Sequence, residues 1–156
     1  MQGNQKVIEQ LNAALSSELT AIVQYMVQAE TCKSWGYTKL GAFTERRAIE
    51  EMRHAEGLIE RIIFLDSVPA VSVALKPQLG SKVEEHFQIG LKDELEAVRD
   101  YNAAAKVCMD AGDDGTKALF ESMIKDEERH ADYLDAQPFP TGEYAAALLR
   151  GRRAAG

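Results

Sequence analysis

Apolar residues recur at helical spacing over four long stretches of this chain. After Asn4, which reads as an N-cap, Val7, Leu11, Leu15, Leu19, Ile22 and Met26 return every three or four residues, and the pattern predicts a first helix to about Lys33. The segment "SWGYT" interrupts it. A second helix is predicted from about Lys39 to Leu65, before "DSVPAVSVALKPQLG", a connection carrying both proline and glycine. The third opens at Ser81, where "SKVE" offers a capping box with Glu84, and runs to about Asp110. After "AGDDGT" a fourth is predicted from about Lys117 to Asp135. The four prolines stand at 69, 77, 138 and 140, outside all four helices. Beyond "PFP", "TGEYAAALLRGRR" predicts one short, weakly amphipathic helix.

Two short links and one long one predict an all-α four-helix bundle: two hairpins joined by a long crossover between helices two and three. The expected organisation is a single domain over residues 1–156, with the bundle at about 5–135 and a short C-terminal segment at 138–156. An internal repeat supports it. "ELTAIVQY" from Glu18 matches "ELEAVRDY" from Glu94, and "EEMRHAE" from Glu50 matches "DEERHAD" from Asp126. Glu18 and Glu94, Tyr25 and Tyr101, Glu51 and Glu127, and His54 and His130 are all 76 residues apart.

The repeated polar residues stand in the apolar stripes. Glu18 lies in line with Leu11, Leu15, Ile22 and Tyr25, and Glu94 with Phe87, Leu91, Val98 and Tyr101. Glu51 and His54 align with Leu58 and Ile62, while Glu127 and His130 align with Leu119, Met123 and Leu134. Four carboxylates buried together lose hydration and repel one another, so a cationic partner is required. Two divalent cations balance them and leave both imidazoles neutral, the form in which histidine binds metal. Residues three apart lie on one helix face, about 4.5 Å apart along the axis, so each Glu-x-x-His presents oxygen and nitrogen to one site. Carboxylate-rich ligation with one histidine per metal suits iron or manganese better than zinc. A lone Glu-x-x-His is usually a solvated helix face. Six ligand-type residues in core register, repeated at one offset, are not.

Composition narrows the partners. The formal charge is -7, with 25 acidic against 18 basic side chains, which gives the chain no general attraction for nucleic acid or anionic membrane. No apolar run reaches the roughly 20 residues of a membrane-spanning helix, and the N-terminus has no apolar signal core. Cys32 and Cys108 lack CxxC spacing, as expected of two reduced thiols in a cytoplasmic protein. His86, the third histidine, has no repeat partner and reads as an ordinary surface or interface residue. Tyr25 stands two turns from Glu18, positioned to hydrogen-bond a ligand or to reduce an oxidised intermediate; Tyr101 reads as core packing.

Met52 is the odd residue of its phrase, standing where the second copy has Glu128. One step after Glu51, it is turned about 100° from the metal face. Its neighbours there, Ile49, Glu56, Ile59 and Ile63, make a partly apolar stripe that predicts a subunit contact.

With these motifs assembled, the sequence from Met1 to about Gln137 resembles the bacterioferritins, haem-containing members of the ferritin-like superfamily. The resemblance runs through "MQGNQKVIEQLN", "SSELTAI", "WGYTKL" and the two phrases around His54 and His130. It implies a ferroxidase site of two irons held by Glu18, Glu51, His54, Glu94, Glu127 and His130, with Glu51 and Glu127 bridging. It implies Met52 as axial ligand to a haem b shared between two subunits across a twofold axis. It further implies a homo-oligomeric cage of 24 subunits that oxidises Fe(II) with oxygen or hydrogen peroxide and stores ferric mineral. The chain departs from the family pattern near residues 23 and 28, in its tail, and at Arg46 and Arg47, where acidic residues or histidine are commoner. A diiron or dimanganese oxidase or peroxidase without storage would share the site, and so would a shell or interaction protein that binds metal only for stability.

Overall fold

The computed structural model describes residues 1–73 and 76–136. Four α-helices make up the bundle: α1 (Gln5–Ser34), α2 (Thr38–Phe64), α3 (Val83–Asp110) and α4 (Asp114–Ala136). The packing is that of two hairpins, α1 against α2 and α3 against α4, brought together chiefly along α1 and α3. The predicted C-terminal helix at 138–156 lies outside the described residues.

Local chemistry explains where the helices begin and end. Asn4 accepts the Lys6 amide at 2.9 Å through Oδ1, as expected of an N-cap. Both hairpin turns close on a glycine in the left-handed region, Gly36 (φ 87°) and Gly112 (φ 70°), again 76 residues apart. In each, the next residue's N–H bonds back into the helix, Tyr37 to the Cys32 carbonyl and Asp113 to that of Cys108, both at 2.9 Å.

Two predicted boundaries shift. The α3 cap falls on Lys82 instead of Ser81, and Glu85, not Glu84, takes the Ser81 amide (2.5 Å) and hydroxyl (3.0 Å). Helix α4 begins at Asp114, three residues before the predicted Lys117. Asp113 explains this: its carboxylate accepts the Thr116 amide at 2.9 Å and Arg61 at 2.7 Å, so a cap overrides Gly115 in the first turn.

The core has two parts with the candidate site between them. The larger joins Leu11, Leu15, Leu58, Ile62, Tyr101, Cys108, Phe120 and Met123; the smaller joins Cys32, Leu40, Val83, Phe87 and Leu134. Along every helix the site residues fall between members of these clusters. The buried line of α1 continues from Leu15 through Glu18 and Tyr25 to Ala29 and Cys32, leaving Met26, predicted in the apolar stripe, half exposed. The crossover lies along α1, where Asn12 accepts the Ala70 amide at 2.7 Å and Gln24 exchanges two hydrogen bonds with the Gln78 backbone. Among the described residues no helix is long and apolar enough to cross a membrane.

His86 is a correction. It is buried, not at the surface, with Nδ1 3.7 Å from the Cys32 sulfur, Nε2 3.2 Å from the Gly80 carbonyl oxygen and its ring on Trp35. Burial holds it below the usual histidine range, although the Gly80 contact and Glu85 act in the opposite sense.

Candidate metal centre

Each helix contributes one buried glutamate at mid-bundle: Glu18 from α1, Glu51 from α2, Glu94 from α3 and Glu127 from α4. They meet in two overlapping donor sets, Glu18, Glu51, His54 and Glu127, and Glu51, Glu94, Glu127 and His130, each with donor atoms within 4.8 Å of one another. Glu51 and Glu127 belong to both. His54 Nδ1 stands 3.1 Å from Glu51, 3.0 Å from Glu127 and 3.6 Å from Glu18. His130 Nδ1 stands 3.1 Å from Glu127, 3.8 Å from Glu94 and 3.9 Å from Glu51.

The histidines are oriented from behind. Asp126 of α4 lies 3.3 Å from His54 Nε2, and Glu50 of α2 lies 2.9 Å from His130 Nε2. Each hairpin thus aims the other's imidazole, leaving Nδ1 toward the centre, the outer arrangement that metal-binding histidines use. Glu50 and Asp126 were not singled out from the sequence, yet they too are 76 residues apart. The tyrosines are also crossed: Tyr25 donates to Glu94, and Tyr101 donates to Glu18. Tyr101 is therefore a carboxylate partner as well as a core residue.

Arg47 changes the expected charge balance. Its guanidinium, only 6% exposed, donates to Glu51 Oε1 and Glu94 Oε1 at 2.6 Å each and to Glu50 at 2.6 Å. One cation of the protein's own therefore sits among the four carboxylates. The basic residue was visible in the sequence; its reach was not.

Burial and charge set the protonation of the site. Burial pushes Glu18 up to about 8, with repulsion from Glu51 and Glu127 adding to it and His54 partly opposing. Burial likewise raises Glu127 to about 7 against both histidines. Burial opposes ionisation of Glu94 too, but His130, Glu127, Arg47 and Tyr25 outweigh it and hold that carboxyl well below the usual range. Desolvation alone would lower both histidines; the carboxylates around them win, carrying His130 up to about 9 and His54 upward as well. The metal-free centre holds protons where a metal would supply charge.

The donor set fits a pair of oxygen-loving divalent ions: four carboxylates, two neutralisable imidazoles, no thiolate, and an outer layer that already orients both imidazoles. A cavity of about 290 Å³ joins the buried Glu18, Glu51, Glu94 and Glu127 to the exposed Glu96 and Asp100 between α1, α3 and the crossover. Met52 stands apart from this centre. It is 45% exposed on the outer face of α2, with Ile49 and Ile63 also exposed, while Ile59 packs against the core. An exposed thioether in an apolar stripe fits a soft ligand to haem iron at a contact between two chains.

Four helices converging carboxylates and two Glu-x-x-His pairs on one buried point make the constellation of a dimetal carboxylate bundle. The Ferritin-like domain family matches residues 8–137. The chain is 42% identical to Rhodobacter capsulatus bacterioferritin over 88% of its own length and 85% of the relative's, and 38% identical to Mycolicibacterium paratuberculosis bacterioferritin over 88% and 86%. The solved structure of the Rhodobacter capsulatus protein, described with a metal-free dinuclear site and haem iron in a crystallographic special position, superposes with a TM-score of 0.84 at 41% identity, covering 86% of this chain and 84% of that one. The chain belongs to the bacterioferritins, within the ferritin-like proteins.

Proposed function

We propose that this protein stores iron, and that it oxidises Fe(II) to Fe(III) at the centre formed by Glu18, Glu51, His54, Glu94, Glu127 and His130. The observation that carries the reading is the overlap of two buried donor sets sharing Glu51 and Glu127. Fe(II) is the substrate, attracted through the cavity whose walls include Asp93, Glu96 and Asp100. Two Fe(II) give one electron each to dioxygen, which with two protons becomes hydrogen peroxide, or to peroxide, which with two protons becomes two waters.

The chain's own residues set the terms. Glu51 and Glu127, common to both donor sets, would hold both ions, while Glu18 with His54 would complete one position and Glu94 with His130 the other. Asp126 and Glu50 keep both Nδ1 lone pairs inward. The protons that Glu18, Glu127 and the histidines hold without metal leave as metal arrives. Tyr25, bonded to Glu94 in the buried interior, stands where its phenol can hold a proton at that carboxylate or supply an electron. Ferric iron then passes into a cavity shared by a homo-oligomer, a cage of 24 subunits built from twofold dimers. The protein works in the cytoplasm, consistent with Cys32 and Cys108 both being free.

Iron retained after excess Fe(II) is added in air, measured across a sizing column, tests this reading. Tens of irons per chain co-eluting with a very large particle are expected. About two per chain on a small oligomer would instead make the protein a diiron oxidase or peroxidase without storage.

In this reading Met52 would hold haem b at a contact between two subunits, its thioether supplying a soft ligand to the haem iron. The special position of haem iron in the Rhodobacter capsulatus relative accords with a group shared across a symmetry axis. Met52→Leu should abolish the low-spin haem absorption bands while leaving iron oxidation intact. Unchanged bands would remove Met52 from the haem site.

A further inference from the structure

The two halves of the centre differ sharply at one repeat-related position. Around the site Glu18 has its counterpart in Glu94, Tyr25 in Tyr101, Glu50 in Asp126, Glu51 in Glu127 and His54 in His130, all 76 residues on. The same offset takes Arg47 to Met123. Both are buried, at 6% and 2% exposure, so one half places a guanidinium where the other places a thioether.

That guanidinium is not evenly shared. Its NH2 group lies 2.6 Å from Glu94 Oε1 and 2.6 Å from Glu51 Oε1, two carboxylates of the donor set that His130 completes. In the set that His54 completes it touches Glu51 alone, and there Glu51 Oε2 faces His54 at 3.1 Å. NH1 already lies 2.6 Å from Glu50, which is partly exposed at the edge of the site. Glu51 Oε1, the oxygen the guanidinium holds, is also the one 3.9 Å from His130 Nδ1, so a divalent ion at that position competes with Arg47 for it. Glu94 turns its other oxygen, Oε2, toward His130 at 3.8 Å, and there the conflict is one of charge: at about 4 Å two cations repel strongly in a desolvated site. Glu50 offers the displaced cation a partner without leaving the bundle.

We propose that Arg47 is a displaceable counter-cation that makes the two metal positions unequal: the position at His54 fills first, and the position at His130 fills only when the guanidinium releases Glu94 and Glu51. This rests on the reading of the six residues as metal ligands. It gives the metal-free bundle an internal charge partner, and it makes loading of the second metal the step that moves a side chain.

The test is an anaerobic titration of the assembled, metal-free protein with Co(II), followed by visible absorption and calorimetry. Wild type should bind two Co(II) per chain in separate steps, the second about tenfold weaker or more. Arg47→Met, which copies Met123, should bring the two steps within about threefold of each other and lower the melting temperature of the metal-free protein but not of the loaded one. If Arg47→Met does not assemble without metal, Arg47→Gln carries the same titration. Two equal steps in wild type, or the same spacing in the variants, would overturn the role of Arg47 while leaving the metal centre standing. No Co(II) bound by either protein would overturn both.

Discussion

Replacing Glu18 by glutamine is expected to slow iron oxidation by about a hundredfold or more while making the metal-free protein more stable at pH 8. Glu18 has two jobs of opposite sign. With metal it supplies one of the oxygens of the His54 position, and loss even of an outer-layer partner costs roughly 10–100-fold in affinity or activity, so a direct ligand should cost at least as much. Without metal it is a carboxyl buried at 2% exposure whose pKa is pushed up to about 8, so its ionisation works against folding. Glutamine keeps the shape and can still accept from Tyr101 without carrying charge. The gain in melting temperature should be on the order of 5 °C at pH 8, shrink as the pH falls, and vanish only below the ordinary value of 4.5, where the wild-type carboxyl is protonated in the folded and unfolded chain alike. Stopped-flow oxidation and a thermal melt of the same two proteins decide it. An unchanged oxidation rate would take Glu18 out of the site, and a destabilised metal-free variant would mean that its charge is neutralised by something other than metal.

The metal-free protein should lose stability steadily between about pH 5 and pH 9, and metal should reverse the trend. Glu18 and Glu127 release protons in the folded chain at about 8 and 7, whereas both start from 4.5. His130 follows the same rule, held up to about 9 from 6.5. Across this window the folded chain binds more protons than the unfolded one, so each increase in pH favours unfolding. Glu94 and Glu50, both held low, act in the opposite sense: their contribution is present above the ordinary carboxylate range and lost in acid, below the window. Divalent metal replaces the bound protons, so its affinity should climb with pH and its binding near pH 7 should release about two protons or more per pair of ions. Calorimetry with Co(II) in two buffers of different ionisation enthalpy counts those protons. Flat or rising metal-free stability from pH 5 to pH 9, or binding without proton release, would contradict the account.

Both expectations come from the same design: a bundle whose interior is stabilised everywhere except at its centre. Packing by Leu11, Leu58, Ile62 and Phe120 on one side and by Cys32, Leu40, Phe87 and Leu134 on the other holds four carboxylates together against their repulsion. Function and stability oppose each other at the site.

The sequence by itself determined the four helices, the two-hairpin order and the six residues that converge. These are local quantities: a 3.6-residue period decides which face a residue occupies, and an offset of 76 identifies positions that do the same work in each hairpin. Helix ends were less legible, because Asp113 caps α4 only by also meeting Arg61 from α2. Tertiary structure alone decided which helices face each other, and with that the crossed bonds of Tyr25 to Glu94 and Tyr101 to Glu18, and the crossed support of His54 by Asp126 and His130 by Glu50. It also decided that Arg47, a long side chain one turn before Glu51, turns inward onto carboxylates of two helices, and that His86 is buried against Cys32 and Trp35. Periodicity gives the direction of a residue from its own helix axis. What that residue meets depends on the distance and angle of a neighbouring helix, which no single helix encodes.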